Sequence, residues 1–153
     1  MTSQRNRIQL TEDEQRELIA EARTLQVASI SPTGWPHLVP MWFGVDENGL
    51  IVFTTYGTSQ KVRNLERDPR ITVLVEMGDV YDQLRGLSID GEAEIVRDPW
   101  TTAHTGALVS AKRTGAPRPP MPAGTAEPPR ATKRVTIRVH PLRTRSWDHR
   151  KIG

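Results

Sequence analysis

The chain of 153 residues contains no cysteine, which excludes disulfide bonds, thiolate catalysis and cysteine-ligated zinc. No run approaches the roughly 20 apolar residues of a membrane span. The N-terminal sequence MTSQRNRIQL lacks the apolar segment of a secretory signal. We therefore expect a cytoplasmic protein with no membrane partner, and the length suits one domain over residues 1–153.

Acidic residues are scarce in the last third of the chain. Residues 112–153 hold 11 Lys and Arg against 2 Asp and Glu, whereas residues 1–111 hold 10 against 16. This basic third suggests an anionic partner, although a solvated basic strand explains the charge as well. Trp147 is the only aromatic residue in it, so the stacking platform of a nucleic-acid binder is missing. We expect no nucleic-acid partner.

The apolar patterning predicts a mostly β protein with short helices. A capping box at Thr11 and Glu14 predicts a helix over residues 11–23. Pro99 predicts the start of a second helix over residues 99–113, and residues 114–130 form a Pro-rich loop. Strands are predicted over residues 25–31, 37–45, 50–56, 70–77, 85–96 and 131–143. Six mostly meandering strands favour a small closed barrel.

Three kinds of residue predict local features of this sheet. Pro40 has no N–H for a β-ladder, so its strand lies at an edge, bulges or is interrupted there. Gly86 and Gly91 predict bulges or bends within residues 85–96. The Asn48-Gly49 pair predicts a tight hairpin turn.

The familiar catalytic motifs are missing. The four histidines are scattered without H-E-x-x-H, so a metal site is not expected. There is no G-x-G-x-x-G, Walker loop or G-x-S-x-G. Asp90, Glu92 and Glu94 share one strand face, which a solvated outer face explains better than a catalytic dyad. We assign no catalytic residue, and an enzyme of this kind would rely on a cofactor for its chemistry.

The stretch GTSQKVRNLERDP, residues 57–69, predicts a helix that starts near Thr58 or Ser59 and ends before Pro69. The first turn of a helix normally attracts acidic residues, but here it carries Lys61 and Arg63. A phosphate would use the free N–H groups of the helix start, the charge of Lys61 and nearby hydroxyls together. The hydroxyls are those of Thr54, Thr55, Thr58 and Ser59. Plain surface residues are the alternative interpretation.

Four segments taken together resemble the split β-barrel flavin- and deazaflavin-binding proteins, a superfamily that includes pyridoxamine 5′-phosphate oxidase. They are SISPTGWPHLVPMWF, NGLIVFTT, SQKVRNLERDPRITVLVE and LRGLSIDGEAEIV. The resemblance extends over residues 10–96 and from residue 133 to the end. Within it, WDHRK at residues 147–151 is similar to the actinobacterial branch that uses coenzyme F420.

This resemblance implies a homodimeric split β-barrel, Greek-key-like and six-stranded, with its cofactor at the subunit interface. Lys61, Ser59 and the strand end at Thr54 and Thr55 would take the phosphodiester. Residues 37–42 would line the deazaflavin ring, and residues 81, 85 and 147 would come from the partner subunit. The implied coenzyme-binding residues are His37, Leu38, Val39, Pro40, Met41, Trp42, Thr54, Thr55, Ser59, Lys61, Asn64, Tyr81, Arg85 and Trp147.

The resemblance also implies the activity, which is hydride transfer from reduced F420 to a small organic acceptor. Tyr81 or water would supply the proton, and Arg143, Arg145 and Arg150 are candidates to hold the polyglutamate tail of F420. Many relatives carry a basic residue at the position of Ser59, which makes FMN less favoured. An FMN-binding oxidase or reductase on the same fold and a non-catalytic F420 carrier remain the alternatives.

Overall fold

The computed structural model describes residues 2–124 and 127–152. Its strands form one antiparallel sheet in the order β2-β1-β5-β6-β7-β4-β3. The sheet curls around one core, so the expectation of a mostly β split barrel is confirmed. The strands are β1 (Thr24–Ile30), β2 (Pro36–Trp42), β3 (Gly44–Val45), β4 (Ile51–Tyr56), β5 (Arg70–Met77), β6 (Arg85–Val96) and β7 (Arg134–Asp148).

Short helices flank the sheet. The helices are α1 (Gln4–Arg7), α2 (Glu12–Glu21), α3 (Gln60–Arg67) and α4 (Pro99–Thr114), with 3₁₀ turns at Tyr81–Gln83 and His149–Lys151. Both hydrogen bonds of the predicted capping box form between Thr11 and Glu14 at the start of α2. Asp98 caps α4, which ends at Gly115 with φ 74°. None of the helices in the described ranges is long and apolar enough to cross a membrane.

The core lies on the inner face of the curled sheet. Alternate residues of each strand point into it, including Leu25 and Val27 of β1, Phe53 of β4 and Ile137 of β7, and all four are fully buried. Leu18 of α2 packs against the same cluster. On β4 this alternation places Thr55 inward with Phe53, while Thr54 and Tyr56 face outward.

The described residues contain seven strands where the sequence predicted six. The predicted strand over residues 37–45 divides at Phe43, which is buried, and the short β3 then pairs with β4. The strand predicted over residues 131–143 runs on to Asp148 instead, paired with β6 throughout. Pro141 lies within this strand. The pairing with β6 has a bulge between Asp90 and Gly91, and Gly91 is the residue opposite Pro141. Glycine is required there, because a Cβ on Gly91 would meet the oxygen of His140 at 2.4 Å.

Two other local predictions are confirmed. Pro40 lies in β2, which is an edge strand, so its missing N–H removes no ladder bond that the sheet needs. Gly49 has φ 79° in the turn between β3 and β4, where Asp46 Oδ1 accepts from the backbone N–H groups of Asn48 and Leu50.

Candidate functional site

A cleft of about 440 Å³ lies on the outer face of the sheet, where residues of β2, β4, β7 and α4 meet. We call it the coenzyme cleft, after the binding role that the sequence analysis predicted for several of its residues. It brings together Pro40, Met41, Trp42 and Thr54, which the sequence placed at the ring and phosphate of a coenzyme. Its lining consists of Thr24, Pro40, Met41, Trp42, Thr54, Val109 and Arg134.

Lys61 is partly buried, and it lies close enough to Arg134 of the cleft wall for the charge of Arg134 to act on it. Its Nζ donates a hydrogen bond to Oγ1 of Thr55 at 2.9 Å. Burial lowers the pKa of Lys61 below its ordinary value, and the nearby charge of Arg134 lowers it further. The first turn of α3 contains no acidic residue. Within residues 2–124 and 127–152, no carboxylate forms an ion pair with Lys61 or Arg134. The charges of these two side chains are therefore available to an anion.

Arg134 is a site residue that the sequence analysis missed. It lines the coenzyme cleft, and its guanidinium lies 4.5 Å from the centre of the Tyr56 ring, its cross-strand partner on β4. The guanidinium of Arg113 on α4 lies 4.9 Å from the ring of Trp42. Each guanidinium lies over the face of an aromatic ring. The ring does not use the N–H donors of the guanidinium, which can therefore bind other groups.

Two buried polar atoms have no hydrogen-bond partner among the described residues. They are Oγ of Ser59 and Nδ1 of His37. Ser59 occupies the N-cap position of α3, yet its side chain forms no capping bond. Buried polar groups are normally paired, so each of these two unpaired atoms calls for an explanation. Both residues were predicted to bind the coenzyme.

Asn64 was also predicted to bind the coenzyme, but the structure places it inside the protein. Its side chain is 0% exposed. Its amide donates to Oγ of Ser29 at 3.0 Å and accepts from Nε2 of Gln60 at 2.8 Å. These bonds join α3 to β1 and leave the amide no open direction toward a ligand. Its contacts therefore indicate a structural role.

Strand alternation divides the predicted ring-binding segment, residues 37–42, between two faces. Leu38, Pro40 and Trp42 are exposed on the outer face, whereas His37, Val39 and Met41 are half-buried on the other. His37 pairs with Ser29 across the β1–β2 ladder, so its side chain lies on the face that α3 covers. The outer face of β2 therefore offers apolar surface, and the opposite face carries the unpaired Nδ1 of His37.

Tyr81, Arg85 and Trp147 lie apart from the coenzyme cleft. The Tyr81 ring is 4.5 Å from that of His149, and Arg85 donates to Glu21 at 2.9 Å. Trp147 covers Gly86 across the β6–β7 ladder. Within one subunit the structure does not bring these three residues to the residues around Lys61. They would reach a coenzyme only if a second subunit supplied them.

Gly86 is required by the packing of Trp147. It is buried, and a Cβ placed there would lie 2.1 Å from Cζ2 of the indole ring. We expect Gly86→Ala to lower the free energy of unfolding by about 2 kcal/mol, because the ring must move. The control is Gly106→Ala on α4, where a Cβ meets nothing within 4 Å. The control should gain about 0.5–1 kcal/mol from helix propensity. Chemical denaturation measures both, and equal stability of the two variants would contradict this role for Gly86.

The three arginines proposed for the polyglutamate tail already have acidic partners. Arg143 and Arg145 pair with Asp90 at 3.2 and 2.8 Å, and Arg150 pairs with Asp148 at 2.8 Å. The hydrogen bond from Arg145 holds the pKa of Asp90 below its ordinary value, so that carboxylate stays ionised. Each of these arginines therefore contacts a carboxylate, and Arg143 and Arg145 share that of Asp90.

The curled antiparallel sheet defines the class of split-barrel proteins. A family model described as pyridoxamine 5′-phosphate oxidase matches residues 11–148, and the chain belongs to this family. No curated protein matches the sequence.

Solved structures agree with this assignment. The conserved hypothetical protein Rv2991 of Mycobacterium tuberculosis is 42% identical, with TM-score 0.85 over 99% of this chain and 93% of its own. A structure named F420 reductase is 27% identical, with TM-score 0.62 over 84% of this chain and 94% of its own. A putative pyridoxamine 5′-phosphate oxidase from Listeria innocua, at 19% identity, shares the fold with TM-score 0.66 over 88% and 96%.

Proposed function

We propose that this protein is an oxidoreductase that binds coenzyme F420 and reduces a small organic acceptor. Its family and the neighbour named F420 reductase support a flavin or deazaflavin cofactor. The observation that carries the proposal is the partly buried Lys61 beside the unpaired Oγ of Ser59 at the start of α3. Such an arrangement is unfavourable without an anion and favourable with one.

The residues present fit a phosphodiester. Lys61 supplies a full charge, Ser59 a hydroxyl, and the first turn of α3 its free N–H groups. Arg134 adds a second charge from the cleft wall. Bound F420 supplies hydride transfer, and the protein contributes binding and orientation. The chain's own role is to hold the ring against the outer face of β2 and to keep water from it with apolar side chains such as Trp42.

A homodimer is part of this proposal. The edge strand β2 and the turn before it expose three large apolar side chains: Trp35 is 76% exposed, Leu38 65% and Trp42 56%. An edge strand with such a face is a pairing surface. A second copy of the chain placed there would cover it and could bring Tyr81, Arg85 or Trp147 to the coenzyme. Sedimentation equilibrium of the wild type and of Leu38→Asp tests this, and a monomeric wild type would contradict it.

An FMN-binding oxidase or reductase is the second candidate, because the matching family model is described as an oxidase and not as an F420-dependent protein. The terminal phosphate of FMN carries more charge than a phosphodiester. Ser59 offers it a neutral hydroxyl where a basic residue would add a charge, so neighbouring cations such as Lys61 and Arg134 would have to balance it. This favours F420 over FMN at this site.

Arg134 provides a test that separates the coenzyme cleft from the paired arginines. We expect Arg134→Ala to weaken F420 binding about 10-fold, the effect of losing one charge-assisted contact. It should also make the affinity less sensitive to salt. Arg143→Ala is the matched control, since Arg143 contacts Asp90 and does not line the coenzyme cleft. Fluorescence titration of F420 at low and high salt measures both variants. An equal loss in Arg143→Ala would move the anion site from the coenzyme cleft to the arginines that pair with Asp90.

A further inference from the structure

A second cleft, of about 410 Å³, lies between α4, the β3–β4 turn and the Pro-rich segment that follows α4. We call it the α4 cleft. Val109 of α4 lines the coenzyme cleft, whereas Leu108 and His104 line the α4 cleft, and the two clefts have no lining residue in common. The function proposed above makes no use of it. Its apolar walls are Trp100, Leu108, Met121 and Pro122.

One polar pair is built into the wall of the α4 cleft. Nε2 of His104 lies 2.6 Å from Oε1 of Glu47, and the His104 side chain is only 9% exposed. Burial raises the pKa of Glu47, but the bond to His104 and the charge of Arg118 outweigh it, so the pKa lies below its ordinary value. Glu47 is therefore an ionised acceptor, and His104 donates to it through Nε2.

The other ring nitrogen of His104 is left for a ligand. When Nε2 carries the only ring proton, Nδ1 is a hydrogen-bond acceptor. Nδ1 has no partner within residues 2–124 and 127–152. A carboxylate that fixes the tautomer also makes the far nitrogen a better acceptor. The cleft thus presents one oriented acceptor in an apolar setting.

The charges around the α4 cleft balance. Glu47 pairs with Arg118 at 3.3 Å, and Asp46 lies 3.6 Å from Arg138. Asp46 is further occupied by two backbone N–H groups of its turn. A charged ligand would have to break one of these pairs, so the cleft favours a neutral one. Its volume lies within the usual range for small-molecule sites.

The Pro-rich segment forms one side of this cleft. Nη1 of Arg118 donates to the backbone oxygen of Val45 at 2.9 Å, which fixes the segment to the sheet edge. Met121 and Pro122 follow it and line the same cleft as His104. Proline limits the conformations of such a segment, so the wall is preformed at little entropic cost.

From these observations we propose that the α4 cleft is a second ligand site, which binds a small neutral aromatic molecule with a hydroxyl group that donates to Nδ1 of His104. The apolar walls hold the ring, and the Glu47–His104 pair selects the hydroxyl. This site is independent of the coenzyme, so it stands whether or not the protein binds F420.

Phenol and toluene test the proposal, because they have nearly the same shape and only phenol donates a hydrogen bond. We expect ligand-observed NMR titration of the wild type to show phenol bound about 5- to 10-fold more tightly than toluene. His104→Leu should bind both equally. Ala123→Trp, an exposed position beside the cleft, should fill the cleft and bind neither. Lys61→Ala should behave as the wild type, which separates this site from the coenzyme cleft.

Three results would overturn the proposal. They are the absence of phenol binding to the wild type, equal binding of phenol and toluene, and a preference for phenol that survives in His104→Leu. Thermal melting of each variant establishes that it is folded before the titration. If His104→Leu melts early, His104→Gln serves as the second variant, since it lacks the ring acceptor but keeps a polar contact for Glu47. It should likewise lose most of the preference for phenol.

Discussion

F420 affinity should fall roughly 10- to 100-fold in Lys61→Ala, while the apo protein melts at the same temperature or slightly higher. The loss corresponds to one charge-assisted contact with a phosphate, worth about 1.5–3 kcal/mol. Stability is spared because the ammonium is a liability in the apo protein. It is partly buried, repelled by Arg134 and located in the first turn of α3.

The pH dependence of apo stability follows from the same lowered pKa. Folding lowers the pKa of Lys61, which means that the folded state is less favourable for the charged ammonium than the unfolded state is. This cost is fully present at pH values below the folded pKa and is relieved as the pH rises through it toward the unfolded value. The stability advantage of Lys61→Ala over the wild type should therefore shrink at alkaline pH.

Arg63→Ala is the matched control for Lys61→Ala. It removes the same charge from the same helix turn, but Arg63 is exposed. F420 affinity should change less than 3-fold in it, as expected for a solvent-screened charge. Isothermal titration measures affinity and thermal melting measures stability. Unchanged affinity in Lys61→Ala would reduce Lys61 to a surface residue, and a large drop in its melting temperature would show that it is structural.

Asn64→Ala should show the opposite pattern, a loss of stability with little direct effect on the coenzyme. Its removal leaves the buried hydroxyl of Ser29 without its partner, which costs about 1–3 kcal/mol, and the cavity adds to this. We expect a total of about 3 kcal/mol in urea denaturation. Gln60→Ala, which removes only the exposed partner of Asn64, should cost less than about 1 kcal/mol.

F420 titration of Asn64→Ala, well below its melting temperature, then separates the two roles. Affinity within a few-fold of the wild type is expected from a residue that only fixes α3 to β1. A loss as large as that of Lys61→Ala in a stably folded variant would show that Asn64 contacts the coenzyme, as the family resemblance implied.

Much of the fold could be predicted because its signals are local. The Thr11–Glu14 capping box and the helix start at Ser59 depend on residues a few positions apart, and both are present. Pro40 indicated an edge strand because proline has no N–H anywhere in the chain. The true length of β7 was missed, because residues 144–148 are held in the strand by their pairing with residues 85–89 of β6, which are distant in the sequence.

The candidate site was predicted only in part, for the same reason. Lys61 and Ser59 are recognisable from one short segment. Arg134 is not, because its place in the site depends on the pairing of β7 with β4, about eighty residues earlier in the chain. Asn64 belongs to the recognisable segment, but whether its side chain points inward or outward depends on how α3 packs on β1.

Spectroscopic titration of the purified apo protein with F420 and, separately, with FMN is the most direct measurement of the proposed function. We expect F420 to bind with a change in its absorption spectrum, FMN to bind more weakly, and Lys61→Ala to lose affinity for F420. Tight binding of FMN with no binding of F420 would contradict the proposal, and so would an F420 affinity that Lys61→Ala leaves unchanged.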